Sequence, residues 1–115
     1  MKNKDIITIS KDKIKNYIDS HYSENITLDI LSNLSYVNKF HLVHLFTKQM
    51  GISPINYLIN RRIEESKNLL TTTNYTIRDI STIVGFSNSS YFSQMFKKFT
   101  GYSPRMYKNK YNTLK

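Results

Sequence analysis

TIRDISTIVGFSNSSYFSQMFKKFTGYSPRMY, residues 76–107, repeats a motif met earlier in the same chain, TLDILSNLSYVNKFHLVHLFTKQMGISPINY, residues 27–57. Thr27 pairs with Thr76, Leu31 with Ile80 and Leu34 with Ile83 at an offset of 49, and from Leu42 with Phe92 onward the offset is 50. Phe46 then meets Phe96, Gly51 meets Gly101, Ser53-Pro54 meets Ser103-Pro104 and Tyr57 meets Tyr107. One residue has been inserted between the two registers. The matched positions are apolar residues and helix punctuation, which is what a duplicated folding unit preserves. Two copies are too few for a solenoid and read as paired subdomains.

Each copy reads as helix, tight turn, helix. Thr27 caps the first helix of the first copy, and Thr76 followed by Asp79 is a capping-box-like start in the second. Gly85 stands where a left-handed helix end belongs, and Asn38 and the Ser87/Asn88 pair start the next helices, which stop at Gly51 and Gly101. Between the copies Ser53 and Pro54 open a long helix to about Thr72, with Ile55, Leu58, Ile59, Ile63, Leu69 and Leu70 on one stripe. Thr71–Thr73 and Asn74 end it. About 20 residues at ~1.5 Å each give a strut of ~30 Å, close to the ~34 Å between successive major grooves on one face of DNA. Ahead of the first copy, Ile14, Tyr17, Ile18 and Tyr22 keep helical spacing behind Ser10, the candidate N-cap, which predicts a helix over about 11–22. The expected fold is all-α, about seven helices in homeodomain-like three-helix units. Its parts are an N-terminal extension (1–10), a first helix-turn-helix subdomain (11–52), a linker helix (53–73) and a second subdomain (74–115).

The rest of the composition narrows the function. A chain of 115 residues, 39% apolar, buries one core or two small ones. Lys and Arg number 17 against 8 Asp and Glu, a net charge of +9 that makes a polyanion the default partner. Lys97, Lys98, Arg105, Lys108, Lys110 and Lys115 crowd the C-terminal end without an acid among them, reading either as phosphate contacts or as a solvated tail. No apolar run suits a bilayer and no secretory signal opens the chain, so a cytoplasmic protein is expected, with no membrane partner. The absence of cysteine removes disulfides, thiolate zinc sites and thiol nucleophiles.

On the later helix of each copy the helical wheel sets a core stripe against an outward arc. Leu42, Leu45, Phe46 and Gln49, matched by Phe92, Met95, Phe96 and Phe99, are the expected core side. The outward arc carries Phe40, Val43, His44, Thr47 and Lys48 in the first copy, and Ser90, Ser93, Gln94, Lys97 and Lys98 in the second. Glutamine can bond adenine at two points, serine serves several base edges, lysine reaches phosphate or guanine, and apolar side chains can pack on thymine methyls. The bland alternatives are that Phe40 and Val43 extend the rim of the core and that Gln94 and the serines form a solvated face.

With the repeat, the strut and the arcs established, the sequence resembles the C-terminal DNA-binding domain of the AraC/XylS family of bacterial transcription regulators. Residues 79–108 carry its signature in Gly85-Phe86, Ser90-Tyr91-Phe92, Phe96-Lys97-Lys98, Gly101 and Ser103-Pro104, and YLINRRIEESKNLL with Arg62 matches as well. The resemblance covers about 11–111. It implies seven helices, two recognition helices at about 38–50 and 88–100, and promoter binding that usually activates transcription. Base-reading positions then fall on Phe40, Val43 and His44, and on Ser89, Ser90 and Gln94. Lys39 and Asn88, at the starts of the two helices, complete the candidate DNA-binding set. Where many members carry Arg near His44 and Gln94, this chain has no guanidinium fork. Ser32 and Ser81 replace a small alanine often found there. Double-stranded promoter DNA is the expected partner, with RNA polymerase and a separate effector-binding or dimerisation domain of a longer protein as further partners.

Rival functions find less support. His41 and His44 are the closest histidines, with no third ligand at metal-site spacing, and neither a phosphate-cradling loop nor a nucleophile elbow is present. No catalytic residue, metal or cofactor is expected. A non-specific DNA-coating protein would share the charge, and a protein-interaction module the helices.

Overall fold

A computed structural model describes residues 2–113, with side chains described from residue 11 onward. Among these residues there are seven helices and no strand: α1 (Lys2–His21), α2 (Leu28–Ser35), α3 (Lys39–Met50), α4 (Pro54–Thr72), α5 (Ile77–Ile83), α6 (Ser89–Thr100) and α7 (Pro104–Tyr111). α1 starts well before the expected Ser10 cap, because residues 2–10 contain no proline or glycine to stop a helix and Ser10 lies within it.

Every helix after α1 begins at a polar side chain that satisfies an orphan backbone N–H. Thr27 accepts from Ile30 N at 3.2 Å and Thr76 from Asp79 N at 3.0 Å. Asn38 accepts from His41 N at 3.0 Å and Asn88 from Tyr91 N at 2.7 Å. Ser53 accepts from Asn56 N and Ser103 from Met106 N, both at 3.2 Å. The caps therefore repeat as three pairs, the first separated by 49 residues and the other two by 50, which places the inserted residue in the turn before α6. α3 and α6 end at Gly51 (φ 75°) and Gly101 (φ 84°). A Cβ at either would meet nothing within 4 Å, so the left-handed backbone alone, not space, calls for glycine.

The chain divides into two compact units, Met1–Leu58 and Ile59–Lys115, with the boundary inside α4. In the first unit Ile14 and Ile18 of α1, Ile26, Leu31 of α2, Leu42 and Phe46 of α3, and Leu58 at the start of α4 form one core. The Phe46 ring meets Tyr57 edge-on at 5.9 Å, and the Tyr57 hydroxyl donates to Asp19 Oδ1 at 2.8 Å, tying the opening of α4 to α1. Ser35 is buried but satisfied, donating to the Leu31 and Ser32 carbonyls, and Ser32 donates to the Val37 carbonyl across the turn.

The second unit rebuilds the same scheme with more aromatic carbon. Ile59, Ile63 and Leu70 of α4, Ile80, Val84, Phe86, Phe92 and Phe96 are buried. Rings of Phe86 and Phe92, Phe92 and Phe96, Phe96 and Tyr107, and Tyr107 and Tyr111 meet at 5.2, 5.8, 5.3 and 4.6 Å. The Phe96–Tyr107 edge contact is the counterpart of Phe46–Tyr57. α4 thus serves twice: its opening completes the first unit as α7 completes the second, and its remainder is the first helix of the second unit. Ser66 and Ser81 are buried in this unit, and Ser66 returns its hydroxyl to the Ile63 carbonyl at 2.7 Å. Thr113 closes the unit by donating its N–H (3.1 Å) and its hydroxyl (2.6 Å) to the Thr71 carbonyl at the end of α4.

Candidate nucleic-acid interface

α3 and α6 each present a stripe that the core cannot use. Burying Leu42 and Phe46 fixes the rotation of α3, so positions 40, 43, 44, 47 and 48 turn away from the core. His44, Thr47 and Lys48 are exposed, Val43 is half-buried, and Phe40 is 80% exposed although nothing polar belongs to its ring. These five side chains line a single open depression of about 420 Å³. Lys39, at the first position of α3, is exposed and places its ammonium 3.1 Å from Asp29 Oδ1 of α2. At that exposure such an ion pair contributes little and yields readily to a phosphate.

In the second unit, burial of Phe92 and Phe96 sets the rotation of α6 in the same way. Ser90, Gln94, Lys97 and Lys98 are exposed, Ser89 and Ser93 half-buried. Asn88 is exposed, and its carbonyl oxygen is committed to capping α6, leaving its amide hydrogens to face outward chemistry. Lys97 and Lys98, like Lys48 in α3, sit in the last helical turn, where a positive charge also favours the carbonyl end of the helix dipole. The turn before α6 is braced from α4. The Arg62 guanidinium lies over the Phe86 ring at 5.6 Å, and burial pulls its pKa down, with Tyr91 acting in the opposite sense.

Two features of this surface depart from the sequence reading. Gln49, assigned to the core side of α3, is exposed: it shares the angle of Leu42, but at the end of the helix its amide stays in water. Tyr36, at the turn before α3, was overlooked. It is 92% exposed with φ 59° and ψ 27°, and the Lys13 ammonium stands 5.5 Å from its ring. Its signal in the sequence is that tyrosine stands where the other copy has Gly85, itself at φ 109°. The charge is also divided unequally: the first unit holds seven Lys and Arg against five acids, the second ten against three.

A family model described as a helix-turn-helix domain matches residues 31–110. YdiP of Escherichia coli K12, an uncharacterized HTH-type transcriptional regulator, is 39% identical over 95 residues, covering 83% of this chain and 31% of YdiP. AdaA of Bacillus subtilis 168, a bifunctional transcriptional activator and DNA repair enzyme, is 35% identical over 97 residues, covering 84% of this chain and 46% of AdaA. The C-terminal domain of AraT, a response regulator from Geobacillus stearothermophilus, superposes with a TM-score of 0.85 at 31% identity, over 90% of this chain and 86% of that domain. The chain spans less than half the length of these curated relatives. No helix among the described residues is long and apolar enough to cross a membrane. A duplicated, side-chain-capped helix-turn-helix with this family match and this structural likeness has one reading: the chain belongs to the AraC-type helix-turn-helix family and is a DNA-binding domain of a transcription regulator.

Proposed function

We propose that the chain binds promoter DNA sequence-specifically through α3 and α6, laid in successive major grooves, and so regulates bacterial transcription in the cytoplasm, as an activator. The observation that carries this is the outward stripe itself. At matched positions of two duplicated helices, the residues released by core packing are those that fit groove and phosphate, on a chain of net charge +9. In the second unit Ser89, Ser90, Ser93 and Gln94 address base edges, while Asn88, Lys97 and Lys98 hold phosphate. In the first, Phe40, Val43, His44 and Thr47 face the bases, with Lys39 and Lys48 on the backbone. The second unit's excess of cations supplies most of the salt-dependent attraction. Activation, through contact with RNA polymerase, is supported by the resemblance to AdaA, whose name records an activator. The length of the relatives supports a longer protein whose other domain senses an effector or dimerises.

The test is selection of duplexes from a randomised library, followed by hydroxyl-radical footprinting. Two protected elements about one DNA turn apart are expected, and a reporter carrying the selected site upstream of a weak promoter should rise. Random competitor that displaces the chain as readily as the selected duplex would overturn specific recognition. A single protected element would overturn the two-groove reading, and a falling reporter the assignment as activator.

A further inference from the structure

The two outward stripes are chemically unlike. α6 offers hydroxyls, an amide and ammonium groups, whereas the first turns of α3 offer a phenylalanine ring 80% exposed and, three residues on, the half-buried Val43. The core does not need the Phe40 ring, because Leu42 and Phe46 already anchor α3. We propose that Phe40 and Val43 form a reader of 5-methylpyrimidines, so that the first unit recognises its half-site through thymine methyl groups and accepts 5-methylcytosine in place of cytosine beneath it. The inference rests on α3 being a recognition helix and specifies what that helix recognises.

Each base pair displays hydrogen-bonding groups in the major groove, but the only apolar group there in unmodified DNA is the thymine C5 methyl. Phe40 and Val43 lie one helical turn apart on one face and both line the open depression with His44, Thr47 and Lys48. Val43 is β-branched and rooted in the helix, so its methyls are held in nearly one rotamer. Neither His44 nor Thr47 provides the two-point fork that fixes an adenine or guanine. The first unit's small excess of positive charge also leaves less of its binding to phosphate attraction than in the second. Moving one methyl group from water into contact with the Phe40 ring corresponds to about a fourfold change in affinity. A methyl at C5 of cytosine projects from the same ring position, and an apolar contact has no means to reject it.

The experiment begins with the duplex selected by the chain from a randomised library, remade with each thymine replaced singly by deoxyuridine. This removes the methyl and keeps every hydrogen-bonding group. At one or two thymines in one half-site, affinity should fall roughly threefold to tenfold. Phe40→Ala should bind the thymine duplex as weakly as the wild type binds the uracil duplex, with no further loss on uracil. Phe40→Leu, which keeps apolar surface, should retain part of the discrimination. 5-Methylcytosine at cytosines within that half-site should strengthen wild-type binding at one position or more and leave Phe40→Ala unchanged. A selected duplex that binds equally well with uracil at every thymine overturns the proposal using the wild-type chain alone. So does a Phe40→Ala variant, folded by circular dichroism, that still discriminates uracil. Failure to enrich any sequence would instead remove the recognition reading on which the proposal rests.

Discussion

Replacing Tyr36 by glycine and by alanine separates backbone strain from side-chain contacts at the turn before α3. Tyr36 is the one non-glycine residue with positive φ among the described residues, at 59°. An L-residue in that region carries a penalty of roughly 1–2 kcal/mol, which glycine escapes. The ring is 92% exposed and its one specific contact among the described residues is with Lys13 at 5.5 Å, an exposed cation–π arrangement worth ~0.5–1 kcal/mol. Both substitutions remove that contact, so their difference isolates the backbone. Within a helix glycine is less stable than alanine by about 1 kcal/mol; here the order should reverse, with Tyr36→Gly more stable than Tyr36→Ala by ~1 kcal/mol. The chain has no tryptophan, so the assay is urea unfolding followed by circular dichroism at 222 nm, with thermal melts as a second measure. The expected separation is about 4 °C in melting temperature. Relative to wild type, Tyr36→Gly should lie near neutral, since strain relief is offset by the lost contact and by the freer unfolded chain. A glycine variant no more stable than the alanine variant would refute the strain argument.

Other substitutions address the helix starts, the reader and the first core. Asn88→Ala should destabilise the second unit by about 1 kcal/mol, because the Tyr91 N–H loses the acceptor it now meets at 2.7 Å, and an unchanged urea midpoint would show that water replaces the cap at no cost. Gln94→Ala should cost ~1–3 kcal/mol on the selected duplex and little on scrambled DNA, whereas Lys97→Ala should weaken both alike and flatten the salt dependence; equal losses on the two duplexes for Gln94→Ala would remove it from the base-reading set. Burial raises the Tyr57 pKa, and the Asp19 carboxylate that accepts its hydroxyl pushes the same way, with Lys15 opposing. A raised folded pKa means that the proton is held more tightly in the native state, so this stabilisation is complete below the unfolded pKa of about 10 and is lost as pH rises through the folded value. The stability advantage of wild type over Tyr57→Phe should therefore be constant through neutral pH and shrink in alkali, and a gap that stays constant up to the alkaline limit of the measurement would refute the assignment.

The sequence alone determined the duplication, the helical class, most helix ends and the family. These are local matters: Thr27, Asn38, Thr76 and Asn88 cap because a short polar side chain can reach a backbone N–H three residues ahead, and Gly51 and Gly101 end helices because they tolerate positive φ. The residues of the outward arcs were legible for a related reason. Once Leu42 and Phe46, or Phe92 and Phe96, are inside, a period of 3.6 leaves little freedom for their neighbours. The N-terminal start of α1 was misread because Ser10 resembles a cap, and a cap-forming residue does not end a helix that has already begun. Gln49 followed the wheel, yet the wheel carries no information on where the packed face stops along the axis. Tertiary structure decided what no period encodes. It allotted the opening of α4 to one core and the rest to another, since Leu58 and Ile63 lie on one sequence stripe but are buried in different units. It also set the Arg62 guanidinium against Phe86 and left Phe40 outside the core, because burial depends on which side chains, distant in the sequence, fill the space around each helix, and the linear pattern does not record those contacts.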